Sequence, residues 1–164
     1  MPKVFVSIGS NIERERHIPL ALRELEKVFS KLMLSSVYET QPVGFEGENF
    51  YNIVAGFETE MSVNQVGKLL KAVETQYRSE RVTEKFSPRT LDLDLLLYGD
   101  AVIEDGKIKV PRADITEYAF VLEPLAEIAS SLTHPVIGET YGSLWAKFNK
   151  AGVRQTKVEN PWVS

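Results

Sequence analysis

Two hydrophobic rhythms alternate along the chain. Residues 3–8, Lys-Val-Phe-Val-Ser-Ile, are branched and aromatic and stop at Gly9-Ser10-Asn11, the pattern of a strand ending in a tight turn. Over 17–32, Ile18, Leu22, Leu25, Phe29 and Leu32 recur at spacings of four and three, which predicts an amphipathic helix with Arg23, Glu24 and Lys27 toward water. Residues 33–40 predict a second strand, and the polar, glycine-bearing run from Pro42 to Asn49 predicts a loop. Phe50 to Thr59 predicts a third strand with Phe50, Asn52 and Val54 on one side. Ser62 and Gln65 have the spacing of a capping box and open a second helix, whose stripe is Val66, Leu69, Leu70, Val73 and Tyr77. A charged run from Ser79 to Ser87, with only Val82 and Phe86 apolar, predicts a second loop leading into the strand Leu91–Tyr98.

That order of elements is the split βαββαβ, ferredoxin-like pattern. It predicts an α+β fold in which helices pack on one face of an antiparallel sheet and the other face is open to a substrate. Beyond it, residues 101–103 and 107–110 predict a small hairpin around Glu104-Asp105-Gly106. A helix is expected over 118–132, its regular part starting near Glu123 because Pro124 suits only a first turn. Another is expected over 141–150 with Leu144, Trp145 and Phe148 inward, and the tail from Val153 to Ser164 shows no period. His17 is expected at the surface, and His134 is expected to be structural or exposed.

Length and composition bound the reading without choosing a function. At 164 residues the whole chain, 1–164, is expected to form a single domain with its own core, and a monomer is the default. The absence of cysteine excludes disulfides, thiolate zinc sites and cysteine nucleophiles. A net charge of −4 argues against a general nucleic-acid binder, and no apolar run approaches a membrane span or a secretory signal. The expected setting is therefore the cytoplasm, with no membrane and no nucleic-acid partner.

The candidate chemistry lies in Phe86-Ser87-Pro88-Arg89-Thr90-Leu91-Asp92-Leu93-Asp94-Leu95-Leu96-Leu97-Tyr98. In a strand, Asp92 and Asp94 share one face while Leu91, Leu93, Leu95 and Leu97 share the other. Two carboxylates side by side repel each other and lose water on partial burial, so they call for a compensating positive charge. A divalent cation is the economical choice; an ordinary wet strand face is the other reading, and spacing alone leaves both open. Arg78, Arg81, Lys85, Arg89 and Arg112 could converge on an anion, or each could be a solvated surface residue. Asn52, odd among the apolar residues of its strand, both donates and accepts, which suits a flat heterocycle with a mixed hydrogen-bonding edge. There is no P-loop and no dinucleotide-binding glycine fingerprint. What remains suits metal-assisted phosphoryl-type transfer.

The run from Phe86 to Leu95 resembles the signature of the 6-hydroxymethyl-7,8-dihydropterin pyrophosphokinase family of the folate pathway. Gly9-Ser10-Asn11, Tyr38, Thr40, Pro42-Val43-Gly44, Phe50 with Asn52, and Phe120-Val121-Leu122 followed by Pro124-Leu125 extend the resemblance from Val4 to about Gly138. The resemblance implies transfer of the terminal pyrophosphoryl unit of ATP to the pterin hydroxymethyl oxygen, with release of AMP. It implies two Mg2+ ions on Asp92 and Asp94, phosphate contacts from Arg81 and Arg89, and pterin contacts from Thr40, Pro42, Val43, Phe50, Asn52 and Phe120. Glu74, Arg78, Phe86 and Arg112 join Arg81 and Arg89 around the nucleotide in that reading. The chain departs from the family pattern at Ser79 and Tyr118, where Arg is common, at Phe86 for Trp, at Ser87 for Gly and at Arg112 for His. A nucleotide- or pterin-binding homologue with reduced, absent or altered transferase activity is the alternative.

Overall fold

The computed structural model describes residues 1–41, 49–77 and 91–159. Its elements run β1 (Lys3–Ser10), α1 (Arg14–Phe29), β2 (Met33–Leu34), β3 (Val37–Thr40), β4 (Phe50–Glu58), α2 (Val63–Gln76), β5 (Asp92–Tyr98), β6 (Ile103–Asp105), β7 (Ile108–Val110), α3 (Asp114–Glu117), α4 (Ala119–Ala129), α5 (Tyr141–Lys147) and β8 (Gln155–Val158). The main sheet has the order β5-β1-β4-β3-β8, with every pairing antiparallel and β2 also on β4. With β4 between β1 and β3, this is the ferredoxin-like α+β arrangement that the order of elements predicts.

Strand alternation divides the residues of the sheet between two cores. Val4, Val6 and Ile8 of β1, Ile53, Ala55 and Phe57 of β4, and Leu91 and Leu93 lie under α1 and α2. Their helix partners are the predicted stripes, Ile18, Leu22, Leu25 and Phe29 from α1 and Val66, Leu70 and Val73 from α2. Phe5, Val54, Leu96 and Leu97 turn to the opposite face, where Val121, Leu122 and Leu125 of α4 and Tyr141 of α5 cover one end of the sheet. Among the described residues no helix covers the other end of that face, which carries the candidate site.

Leu97 departs from the expected alternation. Val6 pairs with Leu95 while Phe5 pairs with Leu97, so Leu96 is an extra residue in β5. This bulge turns both Leu96 and Leu97 toward α4, and Tyr98 takes the place expected of Leu97 beside the α1–α2 core. The second predicted strand is likewise interrupted at Ser35-Ser36. Ser35 bridges the break, its N–H donating to Val54 O (2.9 Å) and its hydroxyl accepting from Val54 N–H (2.9 Å).

Other boundaries shift for identifiable reasons. α1 begins at Arg14, a turn before the hydrophobic stripe, and ends at Ser30, whose φ of 65° stops helical propagation. His17 is buried rather than at the surface, with Nδ1 2.6 Å from Ile12 O. α4 starts at Ala119, so Pro124 lies in its second turn and not its first; lacking an N–H, it leaves the Phe120 carbonyl without its usual helical donor. β8 lies in the tail that has no sequence period. It exists because β3 offers it an unpaired edge, with Gln155 opposite Thr40 and Val158 opposite Val37. His134 is buried and structural, its Nδ1 accepting from Val136 N and Ile137 N at 3.2 and 3.1 Å.

A single carboxylate ties α4 to the sheet. Glu127 accepts from Ser36 N (3.0 Å), Ser36 Oγ (2.7 Å) and Tyr38 Oη (2.8 Å). Burial pushes the Glu127 carboxyl up, but these donors outweigh it and hold the group below its ordinary value. A carboxylate with a lowered folded-state pKa contributes stability above its unfolded value and loses it as pH falls through the folded value. Glu127→Ala is therefore expected to cost about 1–2 kcal/mol at pH 7, reduced by solvent screening of an exposed group. Urea titrations should show the difference from the parent shrinking as the pH drops below the carboxylate range.

Candidate active site

The site is built on a row of cross-strand neighbours. Tyr38 lies opposite Asn52, Asn52 opposite Gly9, and Gly9 opposite Asp92. One step along, Val54 faces Ser7 and Ser7 faces Asp94. The two carboxylates thus have the small residues Gly9 and Ser7 as neighbours on β1, which leaves space above them. A Cβ added at Gly9 would stand 2.9 Å from Asn52 Oδ1, so the Asn52 amide occupies the notch that glycine leaves. Two strand spacings separate the backbones of Asn52 and Asp92, about 10 Å.

Above this row is a cavity of about 320 Å³, lined in part by Thr40, Phe50, Asn52, Asp92, Asp94 and Phe120. Asn52 is buried and its Nδ2 donates to Thr40 Oγ1 at 2.9 Å, which orients the amide. Phe50 comes from the start of β4 and Phe120 from the first turn of α4, giving the cavity aromatic walls from two elements. The Tyr118 ring stacks on Phe120, with centroids 5.1 Å apart, and extends the aromatic surface to the cavity mouth.

A second cavity, of about 490 Å³, lies on the other side of β5, between α2 and the β6–β7 hairpin. Its walls include Lys68, Lys71, Lys107, Lys109 and Arg112 as well as Glu74 and Asp94. Asp94 lines both cavities and is the point at which they meet. Glu74 is a structural part of this wall: its Oε1 accepts from Leu93 N at 2.8 Å, capping the outer edge of β5 between the two aspartates.

Among the described residues, carboxylates outnumber cations around Asp94. Burial, with smaller pushes from Asp92, Glu74 and Asp114 and a pull the other way from Arg112, raises its carboxyl to about 6. Arg112 divides its guanidinium between two acids, with Nη2 3.6 Å from Asp94 Oδ1 and Nε 3.2 Å from Asp114 Oδ2. No group of three or more His, Asp or Glu side chains is arranged to hold a metal among the described residues. The pair nevertheless suits magnesium, which is commonly held by one or two carboxylates with water and substrate phosphate completing the shell. The adjacency of the two carboxylates on one strand face and the small residues opposite them, Gly9 and Ser7, are the features that fit.

A family model described as 7,8-dihydro-6-hydroxymethylpterin-pyrophosphokinase (HPPK) matches residues 5–130. The chain belongs to the HPPK family. The 2-amino-4-hydroxy-6-hydroxymethyldihydropteridine pyrophosphokinase of Aquifex aeolicus is 35% identical over 139 residues, covering 83% of this chain and 86% of that protein. The folic acid synthesis protein fol1 of Pneumocystis carinii is 33% identical over 149 residues, but the chain spans only 20% of it. Among solved structures, wild-type HPPK-DHPS of Plasmodium falciparum with pteroate superposes with a TM-score of 0.70 at 14% identity, over 90% of this chain and 42% of that one. The structural likeness shows a shared fold. Family membership supports an enzyme of the kinase class acting on a pterin.

Thr40, Phe50, Asn52, Phe120, Asp92 and Asp94 come together in one cavity, and Glu74 and Arg112 line the other. Pro42, Val43, Arg78, Arg81, Phe86 and Arg89 lie outside the described residues. Asp114 and Ser7 also line the aspartate cavity and have no sequence signal of their own. Asp114 belongs to a four-residue helix too short to leave a hydrophobic period, and Ser7 is one residue of an apolar strand. Among the described residues no helix is long and apolar enough to cross a membrane.

The raised value for Asp94 means that the folded state favours its neutral form, so ionisation costs stability above about pH 6 and costs nothing below the ordinary value of 3.8. Asp94→Asn should stabilise the metal-free protein at pH 7.5 by about 1 kcal/mol, discounted because the side chain is more than a third exposed. In chelator, the gain in urea midpoint should fade between pH 6 and 4; no gain at pH 7.5 would contradict the origin given for the shift.

Proposed function

We propose that this chain transfers the pyrophosphoryl unit of ATP to the hydroxymethyl oxygen of 6-hydroxymethyl-7,8-dihydropterin, releasing AMP. The observation that carries the reading is Asp94 standing at the junction of an aromatic–amide cavity and a lysine-lined one. A flat heterocycle suits the first and a polyphosphate the second, so the reacting ends of the two substrates would meet at the aspartate pair.

Asn52, held by Thr40, reads the polar edge of the ring, and Phe50 and Phe120 cover its faces. Lys68, Lys71, Lys107, Lys109 and Arg112 supply positive charge along the nucleotide side. Asp92 and Asp94 would hold Mg2+, two ions in the fullest form of the reading, on the wall shared by both substrates. Bound magnesium would neutralise phosphate charge and align the reacting oxygens. In the reaction the hydroxymethyl oxygen bonds to the β-phosphorus and gives up its proton. The bond from that phosphorus to the oxygen of the α-phosphate breaks, leaving its electron pair on AMP. With the two cavities meeting at Asp94, the hydroxymethyl oxygen and the β-phosphate would be brought together there, so that a bimolecular encounter becomes a positioned one.

The assay is incubation with Mg2+, ATP and the reduced hydroxymethylpterin, with AMP and the pyrophosphorylated pterin quantified together. The parent protein should form both in equal amounts, and Asp94→Asn should lower turnover about a hundredfold or more while remaining folded and no less stable than the parent. Folded parent protein that binds both substrates and forms neither product would be a binding homologue and would overturn the reading.

A further inference from the structure

On the face of the sheet away from the ring cavity, Arg14 contacts Glu39, Asn49 and Tyr51 in a way that the reaction does not explain, besides a local approach of its Nε to Glu15 Oε1 at 3.5 Å. Its Nη1 donates to Asn49 O at 2.7 Å and lies 3.3 Å from Glu39 Oε2. Its guanidinium carbon lies 3.9 Å above the centre of the Tyr51 ring. Asn49 closes the circuit, its Nδ2 donating to Glu39 Oε1 at 3.2 Å. The side chain is 17% exposed, so the ring and acceptors have replaced most of its water.

Arg14 is not placed there for the helix. It is the first residue of α1, and a cation in a first turn opposes the helix dipole. It also lies outside the motifs that carry the family resemblance. What it joins are two strand ends: Glu39 is the penultimate residue of β3, and Asn49 directly precedes β4.

Strand alternation gives this tie a consequence on the other side. Glu39 pairs with Tyr51, and their neighbours Thr40 and Phe50 pair as the last rung of the β3–β4 ladder. Thr40, Phe50 and Asn52 face the ring cavity, one backbone thickness from the guanidinium. We propose that Arg14 is a positioning residue for the ring substrate: by tying Glu39 to Asn49 over Tyr51, it fixes the separation of Thr40 and Phe50 and hence the setting of the Asn52 amide. The proposal rests on the ring-binding role given above to Thr40, Phe50 and Asn52. A lysine cannot replace it, because a single ammonium cannot lie flat on Tyr51 while serving acceptors on two strands.

The test measures equilibrium binding of 6-hydroxymethyl-7,8-dihydropterin to the full chain with Mg2+ and α,β-methylene-ATP present, alongside the nucleotide's own affinity and the urea midpoint. Arg14→Met should weaken ring binding about tenfold, with nucleotide affinity held within about twofold, and Arg14→Lys should recover little of the loss. Glu39→Gln, which leaves the Asn49 and Tyr51 contacts in place, should shift ring affinity in the same direction, and the double variant should fall short of the product of the two effects. A merely structural arginine would lower both affinities and the urea midpoint together; that result, or ring affinity unchanged within about twofold in Arg14→Met, overturns the proposal. If Arg14→Met does not fold, unchanged ring affinity in Glu39→Gln overturns it instead. Parent protein that binds the ring but releases no AMP would count against the transfer reaction alone and leave the role of Arg14 standing.

Discussion

The antiparallel register of β4, β1 and β5 brings Asn52, Gly9 and Asp92 into one row, and the cavity depends on the gap in the middle of that row. A side chain at Gly9 would meet the Asn52 amide oxygen, so the amide could not keep its hydrogen bond to Thr40 without moving. Because register is fixed by which face of each strand is dry, the α1–α2 core determines this alignment from the other side of the sheet. Val6, Ile8, Ile53, Ala55 and Leu93 are therefore as much a condition of the site as the polar residues they oppose.

Electrostatics makes the same wall costly to the folded chain. Asp94 is held against burial, two neighbouring aspartates and Glu74, with Arg112 shared between Asp94 and Asp114 as partial relief. Among the described residues the lysines line the adjoining cavity rather than the aspartate one, and the acids Glu74 and Asp94 reach into that second wall. Such an arrangement is unfavourable for the protein alone and suited to a ligand that brings both cations and phosphate.

Rigidity comes from polar and charged groups remote from that wall. Glu127 fixes α4, and with it Phe120, to Ser36 and Tyr38 on the β3 side. Arg14 ties β3 to β4 on the reverse face, and Gln155 of β8 reaches the Ala119 carbonyl and Glu123 at 3.2 and 2.6 Å. Each tie crosses between elements, and together they hold Thr40 and Phe50 on one wall of the cavity and Phe120 on the other at a set distance.

The order of core strands and helices, the capping box at Ser62 and the shared face of Asp92 and Asp94 were legible in the amino-acid sequence, because each is a local matter of period or spacing. The bulge at Leu96 and the strand β8 were not, because each is decided by a partner supplied from elsewhere: the register of β1 and the open edge of β3. The same division runs through the site. Asn52 stood out as an amide among apolar residues, whereas Asp114, Arg14 and Glu127 look like ordinary surface charges until the chain closes on itself. Sequence alone determined which residue types alternate along each segment and so which faces could be buried. Only the tertiary structure decided which charges meet, since a salt bridge or an amide notch depends on distances across strands that no spacing along the chain encodes.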